Sequence, residues 1–212
     1  GQVLADIGRR GKPWACVLAS KGLDPQTLHC LSQTAGRRLN LSAGSVFALT
    51  GPTIAKELAR GATTVALMAG KPNAKRAFLL DLFNKAHFRL IASNDIVGAQ
   101  IGGAMKNVYA IGYGILEALG AGTNSRSYFL TRAVSEMAEF AARAGGRRQT
   151  IYGPAGLGDL LPTSLSPNSR NSSLGRLLAQ GKSLEQCRKE IGMVTEGVEA
   201  AGQFTRLARR IQ

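Results

Sequence analysis

The pattern of apolar and polar positions predicts strands that alternate with helices in the first part of the chain. Four short apolar runs are typical of buried strands. They span residues 14–20, 45–50, 63–70 and 88–93. The segments between them mix apolar and charged residues, and they predict helices that begin near Asp24-Pro25, at Ile54 and near Pro72. Such alternation favours an α/β sheet with ligand sites at the carboxyl ends of its strands.

The pattern changes after residue 95. Residues 97–119 and 123–145 predict two long helices, and shorter helices punctuated by glycine continue to the end without a convincing strand. The sequence therefore predicts two domains, an α/β unit over residues 1–95 and an all-helical unit over residues 96–212. Because the α/β part contains no G-x-G-x-x-G turn, we interpret it as the second half of a larger sheet.

Composition narrows the class of protein. The 212 residues carry 27 Lys and Arg against 13 Asp and Glu, and the formal net charge of +14 favours anionic partners: nucleic acid, anionic lipid or a small phosphorylated ligand. No apolar run reaches the ~18 residues that a membrane span needs, and the first residues lack the apolar stretch of a signal peptide. Cys16, Cys30 and Cys187 are odd in number and widely spaced, which predicts reduced thiols in a cytoplasmic protein and disfavours a zinc site.

The most informative motif is IGGAMKNVYA, at residues 101–110. Lys106 lies in the middle of the first long helix, and Gly102 and Gly103 share its face because they precede it by four and three residues. In one interpretation a flat ligand lies against this bare backbone, with the Lys106 amine aimed at its reacting atom and Asn107 alongside. In the other, the glycines allow close helix packing and Lys106 reaches out to water.

Two further segments are candidates for anion binding. Gly51 and Thr53 follow the second predicted strand at the start of a helix, where free backbone N–H groups attract an anion. Ser169, Arg170 and Asn171 open a later helix, and together they offer a hydroxyl, a guanidinium and an amide to a phosphate. The ordinary alternatives are a helix cap after a turn and a polar loop with a Ser or Asn cap.

Three single residues complete the candidates, and each has an ordinary structural alternative. Lys21 follows the first predicted strand, where open α/β sheets place ligands, or it is a surface lysine. Asp159 follows Gly-Leu-Gly and is either a ligand-binding group or a turn residue. Glu196 lies near the start of a helix, where it could simply compensate the helix dipole.

Together the motifs resemble one enzyme family. SKG, GPTIAKE, GGAMKN, TNSRS, GLGDL, SRN and GMVTEG follow one another as in bacterial-type NAD(P)-dependent glycerol-3-phosphate dehydrogenases, over essentially the whole chain. The resemblance implies the C-terminal half of a Rossmann-like NAD(P)-binding domain over residues 1–95 and a helical substrate and catalytic domain over residues 96–212. It also implies a glycine-rich turn upstream of Gly1, further residues after Gln212, and a cytoplasmic homodimer.

The resemblance further implies a reaction and a set of site residues. Dihydroxyacetone phosphate and sn-glycerol 3-phosphate are interconverted by hydride transfer with NAD(P)H, which supplies glycerol 3-phosphate for phospholipid synthesis. Lys106 matches the catalytic lysine, which accepts the proton when glycerol 3-phosphate is oxidised. Substrate-binding positions are matched by Lys21, Gly51, Thr53 (often serine in the family), Asp159, Ser169, Arg170 and Asn171. Cofactor-binding positions are matched by Ala55, Arg170, Val194 and Glu196, and no metal is implied.

The implied role of Lys106 carries an electrostatic expectation. An unperturbed lysine, with a pKa near 10.4, is a poor base at neutral pH. We therefore expect burial or a neighbouring cation to lower the pKa of Lys106, and we expect Asp159 to oppose that shift while it orients the amine.

Two other functions remain open. The wider 6-phosphogluconate and 3-hydroxyacid dehydrogenase group shares the plan of a lysine on a helix, although the SRN and GPT segments favour a small phosphorylated substrate. A nucleic-acid-binding module would use the net charge of +14. The basic residues, however, lie in scattered pairs without an interleaved aromatic stripe, which argues against specific nucleic-acid binding.

Overall fold

The computed structural model describes residues 2–9, 11–192 and 195–211, and within these ranges every strand precedes residue 95. The strands are β1 (Cys16–Leu18), β2 (Val46–Thr50), β3 (Thr64–Ala69) and β4 (Phe88–Ser93). The helices of this first part are α1 (Gln2–Arg9), α2 (Leu31–Arg38), α3 (Ala55–Ala59) and α4 (Ala74–Phe83). The helices that follow are α5 (Ile96–Ala118), α6 (Thr123–Arg143), α7 (Arg148–Ile151), α8 (Leu157–Leu165), α9 (Arg170–Ala179), α10 (Leu184–Ile191) and α11 (Glu196–Ile211).

The four strands form one mixed sheet in the order β1-β2-β3-β4. The pairs β1–β2 and β3–β4 are parallel, but β2 and β3 are antiparallel, with Thr50 opposite Leu67. The connection between β2 and β3 contains only the five-residue α3, whereas a parallel pair usually needs a full crossover helix. As a result, β1 and β2 end at one edge of the sheet, and β3 and β4 end at the opposite edge.

The start of α2 differs from the prediction. Asp24-Pro25 is predicted to open the helix, but α2 begins at Leu31. The Asp24 carboxylate accepts hydrogen bonds from the N–H and the hydroxyl of Thr27, at 2.9 and 3.1 Å, and so closes a turn. Leu28 then adopts a left-handed conformation with φ 61°, which no helix continues through. An Asp-Pro pair favours a turn as well as a helix start, so the sequence alone does not separate the two.

Helix α5 crosses the face of the sheet. It begins after Asp95, whose carboxylate caps it by accepting the Gly98 N–H at 2.8 Å. Ala99, one turn in, shares an apolar cluster with Leu67 and Ala69 of β3. The helix thus passes under β3 toward the edge where β1 and β2 end, and its later turns pack against α6, α8, α9 and α11.

Other parts of the protein occupy the space beside the paired glycines of α5. A Cβ at Gly103 would lie 2.6 Å from the Thr50 hydroxyl, and one at Gly102 would lie 2.7 Å from the Ala155 carbonyl oxygen. The glycines are therefore close-packing positions, as one interpretation holds, but their neighbours are the end of β2 and the turn before α8 rather than another helix. Their backbone is not left bare for a flat ligand. Lys106 does not reach out to water, since it is only 6% exposed.

Candidate active site

Two lysine ammonium groups share one buried carboxylate at the edge where β1 and β2 end. Lys106 Nζ, on α5, lies 2.8 Å from Asp159 Oδ1, and Lys21 Nζ, just after β1, lies 2.6 Å from Asp159 Oδ2. Asp159 is 3% exposed, and a charge so far from water needs a partner. Two ammonium groups against one carboxylate leave an excess of positive charge, which favours an anionic ligand.

Thr163 completes the surroundings of the Lys106 amine. The ammonium donates to Thr163 Oγ1 at 2.7 Å, and this hydroxyl in turn donates to the Asp159 carbonyl at 2.6 Å. An ammonium has three N–H donors, so the bonds to Asp159 and Thr163 leave a third for a ligand oxygen in the cleft. Thr163 is not among the residues that the sequence motifs indicate. The available signal was its position four residues after Asp159, which puts both residues on one face of α8.

Burial lowers the pKa of Lys106 to about 8. Loss of hydration is the largest cause, Asp159 opposes it by stabilising the charged form, and Lys21 lowers the pKa further by repulsion. The predicted direction and the predicted opposition by Asp159 are both confirmed. A lysine with this pKa exchanges protons near neutral pH, as a catalytic acid or base must.

A row of amide hydrogen bonds lies beside the lysines. Asn107 Nδ2 donates to Glu196 Oε2, and Asn171 Nδ2 donates to Asn107 Oδ1, each at 3.0 Å. The Gly197 N–H donates to Asn171 Oδ1 at 3.1 Å. These bonds join α5, α9 and the start of α11, and they hold the Glu196 carboxylate at the cleft.

The start of α9 forms another wall. Ser169 is the N-cap of α9, and its hydroxyl accepts the Ser172 N–H at 3.3 Å. That is the ordinary role that the sequence allows for it. Arg170 follows as the first residue of the helix. The positive end of the α9 dipole and Arg170, which lines the cleft, therefore both belong to this wall.

One cleft of about 340 Å³ brings most of the predicted residues together. The predicted residues that line it are Lys21, Thr53, Lys106, Asp159, Ser169, Arg170, Asn171 and Glu196. Its lining also includes Thr163 and Asn168, which the sequence analysis did not assign.

The other predicted site residues are not part of the cleft lining that the structure describes. Gly51 does not line the cleft: it turns the chain after β2 with φ 142°, where an added Cβ would lie 3.0 Å from the Ala66 Cα. Ala55 begins α3 outside the cleft lining, and Ile54 rather than Thr53 is the N-cap of that helix. Val194 lies outside the described residues.

The described ranges contain no group of three or more His, Cys, Asp or Glu side chains that could hold a metal ion. None of the helices described is both long enough and apolar enough to cross a membrane. Cys16, Cys30 and Cys187 are free thiols.

Family models match both parts of the chain. The model for the NAD-dependent glycerol-3-phosphate dehydrogenase C-terminus matches residues 95–212, and the model for the N-terminus matches residues 2–76. The glycerol-3-phosphate dehydrogenase (NAD(P)+) of Vibrio campbellii is 41% identical over 197 residues, which cover 91% of this chain and 56% of the relative. The enzyme of the same name from Clostridium perfringens is 36% identical over 191 residues, covering 90% of this chain and 57% of the relative. The chain thus spans little more than half the length of these relatives.

Solved structures show the same fold. The crystal structure of glycerol-3-phosphate dehydrogenase from Coxiella burnetii matches with a TM-score of 0.91 at 28% identity, covering 99% of this chain and 64% of that one. Glycerol-3-phosphate dehydrogenase from Saccharomyces cerevisiae matches with a TM-score of 0.80 at 26% identity, covering 95% and 65%. These matches confirm the predicted fold class, a partial Rossmann-like α/β unit followed by helices.

Proposed function

This chain belongs to the NAD-dependent glycerol-3-phosphate dehydrogenase family, and on that premise we propose that the protein interconverts dihydroxyacetone phosphate and sn-glycerol 3-phosphate with NAD(P)H. One observation carries the proposal: the buried Lys106 amine, paired with Asp159 at 2.8 Å, opens into the same cleft as Arg170. We also propose that the protein acts as a cytoplasmic homodimer and that its product supplies phospholipid synthesis.

The substrate's phosphate binds where α9 begins. Arg170 supplies paired N–H donors that match phosphate oxygens, and the helix N-terminus adds a favourable dipole. Ser169 and Asn171 lie on the same wall, and each keeps hydrogen-bonding capacity beyond its contact with the protein. Lys21, which is mostly buried and also lines the cleft, adds a second cation.

Lys106 moves the proton. NAD(P)H, when bound, supplies the hydride that reduces the central carbon of dihydroxyacetone phosphate. The Lys106 ammonium donates its third proton to the carbonyl oxygen, and in the reverse direction the neutral amine accepts the proton from the hydroxyl. Asp159 and Thr163 hold the other two N–H bonds, so the amine has one orientation.

The cofactor's reacting end has suitable partners in the cleft. The Glu196 carboxylate, held by Asn107, can accept from an amide or a ribose hydroxyl, and Arg170 can also reach a phosphate. A cleft of about 340 Å³ suits a triose phosphate with one end of a dinucleotide. We assign the remaining dinucleotide contacts to the family's larger domain, with residues 1–95 as its C-terminal half. Ala55 and Val194 keep their family-derived cofactor roles, and Gly51 its substrate role.

The proposal is tested by replacing Lys106 with Met in the full-length enzyme. We expect NAD(P)H oxidation with dihydroxyacetone phosphate to fall about 10³-fold or more, because the proton donor is lost. Binding of inorganic phosphate should persist, because the start of α9 is unchanged.

The matched control is Lys189→Met, on the exposed side of α10, which should leave turnover unchanged. Near-normal turnover by Lys106→Met, or no turnover of dihydroxyacetone phosphate by the unaltered enzyme, would contradict the proposal.

A further inference from the structure

Arg176 joins separate elements behind the wall of the cleft. It lies in the second turn of α9, and its guanidinium reaches back toward the start of the helix, since helical side chains lean toward the N-terminus. Nη2 donates to the Pro167 carbonyl at 3.2 Å and to Ser173 Oγ at 2.8 Å. Nη1 donates to Glu117 Oε2 at 2.8 Å.

Glu117 anchors this guanidinium to the helix that carries Lys106. It lies in the last turn of α5, and its other carboxylate oxygen accepts from Arg126 Nη1 of α6 at 3.3 Å. The Arg126 guanidinium lies over the Tyr113 ring, 5.6 Å from its centre. The Arg176 and Glu117 side chains are 28% and 38% exposed, so solvent screens the pair less than it screens a fully exposed one.

The carbonyl that Arg176 holds belongs to the turn between α8 and α9. The Ser169 N–H donates to the Ser166 carbonyl at 3.1 Å, which closes the turn around Pro167. Three residues of the turn line the cleft: Ser166, Asn168 and Ser169. Arg176 is absent from that lining, and it contacts the turn through its hydrogen bond to the Pro167 carbonyl.

We propose that Arg176 is a positioning residue that fixes the phosphate-binding turn relative to Lys106. The bridge runs from Glu117 of α5 through Arg176 to the Pro167 carbonyl. In dihydroxyacetone phosphate one methylene and one ester oxygen separate the reacting carbonyl from the phosphorus. The substrate cannot stretch, and a displaced turn therefore costs binding. The inference rests on the proposed function, in which this turn receives the phosphate.

The test is Arg176→Ala in the full-length enzyme. We expect the KM for dihydroxyacetone phosphate and the inhibition constant of inorganic phosphate each to rise about tenfold, the effect of losing a charged hydrogen bond. We expect kcat to stay within about twofold, with an unchanged pH midpoint, because the Lys106 surroundings are intact. A general loss of folded enzyme would instead lower the apparent kcat at constant KM.

Two further variants separate the effect of the bridge from a general effect of removing an arginine. Glu117→Gln preserves the side-chain volume but removes the charge that anchors Arg176, and it should raise KM in the same direction by a smaller factor. Arg143→Ala is the matched control, because Arg143 is a surface arginine paired with Glu139 at 3.0 Å on α6. It should leave both constants unchanged.

Two outcomes would overturn the inference: wild-type constants in Arg176→Ala, or an equal rise in Arg143→Ala. A wild-type enzyme without dihydroxyacetone phosphate turnover would contradict the proposed function instead. In that case thermal protection by inorganic phosphate still tests the Arg176 bridge, since it requires no catalysis.

Discussion

Asp159 divides its two oxygens between Lys21, at 2.6 Å, and Lys106, at 2.8 Å. Without this carboxylate, two ammonium groups would face each other where water is scarce, and the loss of a buried partner typically costs about 3–5 kcal/mol. The carboxylate also keeps Lys106 basic enough to hold a proton, against burial and against Lys21. A single residue therefore sets both the stability of the site and its acid strength.

The pKa of Lys106, about 8, predicts opposite pH dependences for the two directions of the reaction. Oxidation of glycerol 3-phosphate needs the neutral amine, so its rate should rise with pH and level off above that pKa. Reduction needs the ammonium, so its rate should fall above it. Initial rates measured in both directions between about pH 6 and pH 10 check this, since the range brackets the pKa.

Variants of Asp159 and Lys21 test the direction in which each residue shifts the pKa of Lys106. Asp159→Asn removes the group that raises the pKa of Lys106, so both midpoints should move to lower pH. Lys21→Met removes the repulsion that lowers it, so the midpoints should move to higher pH. Midpoints that stay in place in both variants would show that Lys106 is not the titrating group.

For single residues, the sequence indicates which side chains belong to the site better than it indicates which side chains they contact. Lys106 and Arg170 combine an unusual residue with an informative position, and both line the cleft. For Thr163 the spacing from Asp159 was a weak signal, because a threonine within a helix commonly bonds its own backbone. Its hydroxyl does so here, and it meets Lys106 only because α8 packs against α5.

Among the elements, α5 and α9 pack closely, with backbone against backbone at two glycines. A Cβ at Gly175 would lie 2.0 Å from the Ile111 carbonyl oxygen, and one at Gly114 would lie 2.0 Å from the Ser172 carbonyl oxygen. Neither oxygen can move aside without shifting its helix. This contact places the start of α9, and with it Arg170, against the helix that carries Lys106.

Gly175→Ala should therefore lower the free energy of unfolding by about 2 kcal/mol or more, since the methyl group has no space. The matched control is Gly202→Ala in α11, where nothing lies within 4 Å of the added Cβ. That change should raise stability by about 0.5–1 kcal/mol through helix propensity. Urea unfolding of both variants measures the difference, and equal stabilities would contradict this account of the α5–α9 contact.

The existence of the elements was predictable where long segments keep one period. The strand predicted at 88–93 is β4 itself, and the two long helices lie within one or two residues of α5 and α6. Strand direction was not predictable, because a period of two reads the same in a parallel and an antiparallel strand. The reversal between β2 and β3 became visible only in their pairing.

The whole molecule assembles the cleft from segments that lie far apart along the chain. Lys21 and Asp159 are separated by 138 positions, and Asn107 and Glu196 by 89. No local pattern encodes such contacts. The resemblance to a family therefore predicted that these residues form one site. The chemistry of each side chain explains its role in that site. Part of the net charge of +14 lies at the cleft, where two ammonium groups share one carboxylate.

The placement of Lys106 on α5 has a consequence for hydrogen exchange. Helix α5 contacts α6, α7, α8, α9 and α11 as well as β2 and β3, so its middle amides become accessible only when the core as a whole opens. The amides of residues 99–107 should exchange with deuterium as slowly as the slowest in the protein, whereas those of the short, exposed α3 should exchange by local opening. Fast exchange at Lys106 would contradict this. The Lys106 amine therefore stays in place as long as the protein remains folded. On heating, catalytic activity and folded structure should be lost at the same temperature.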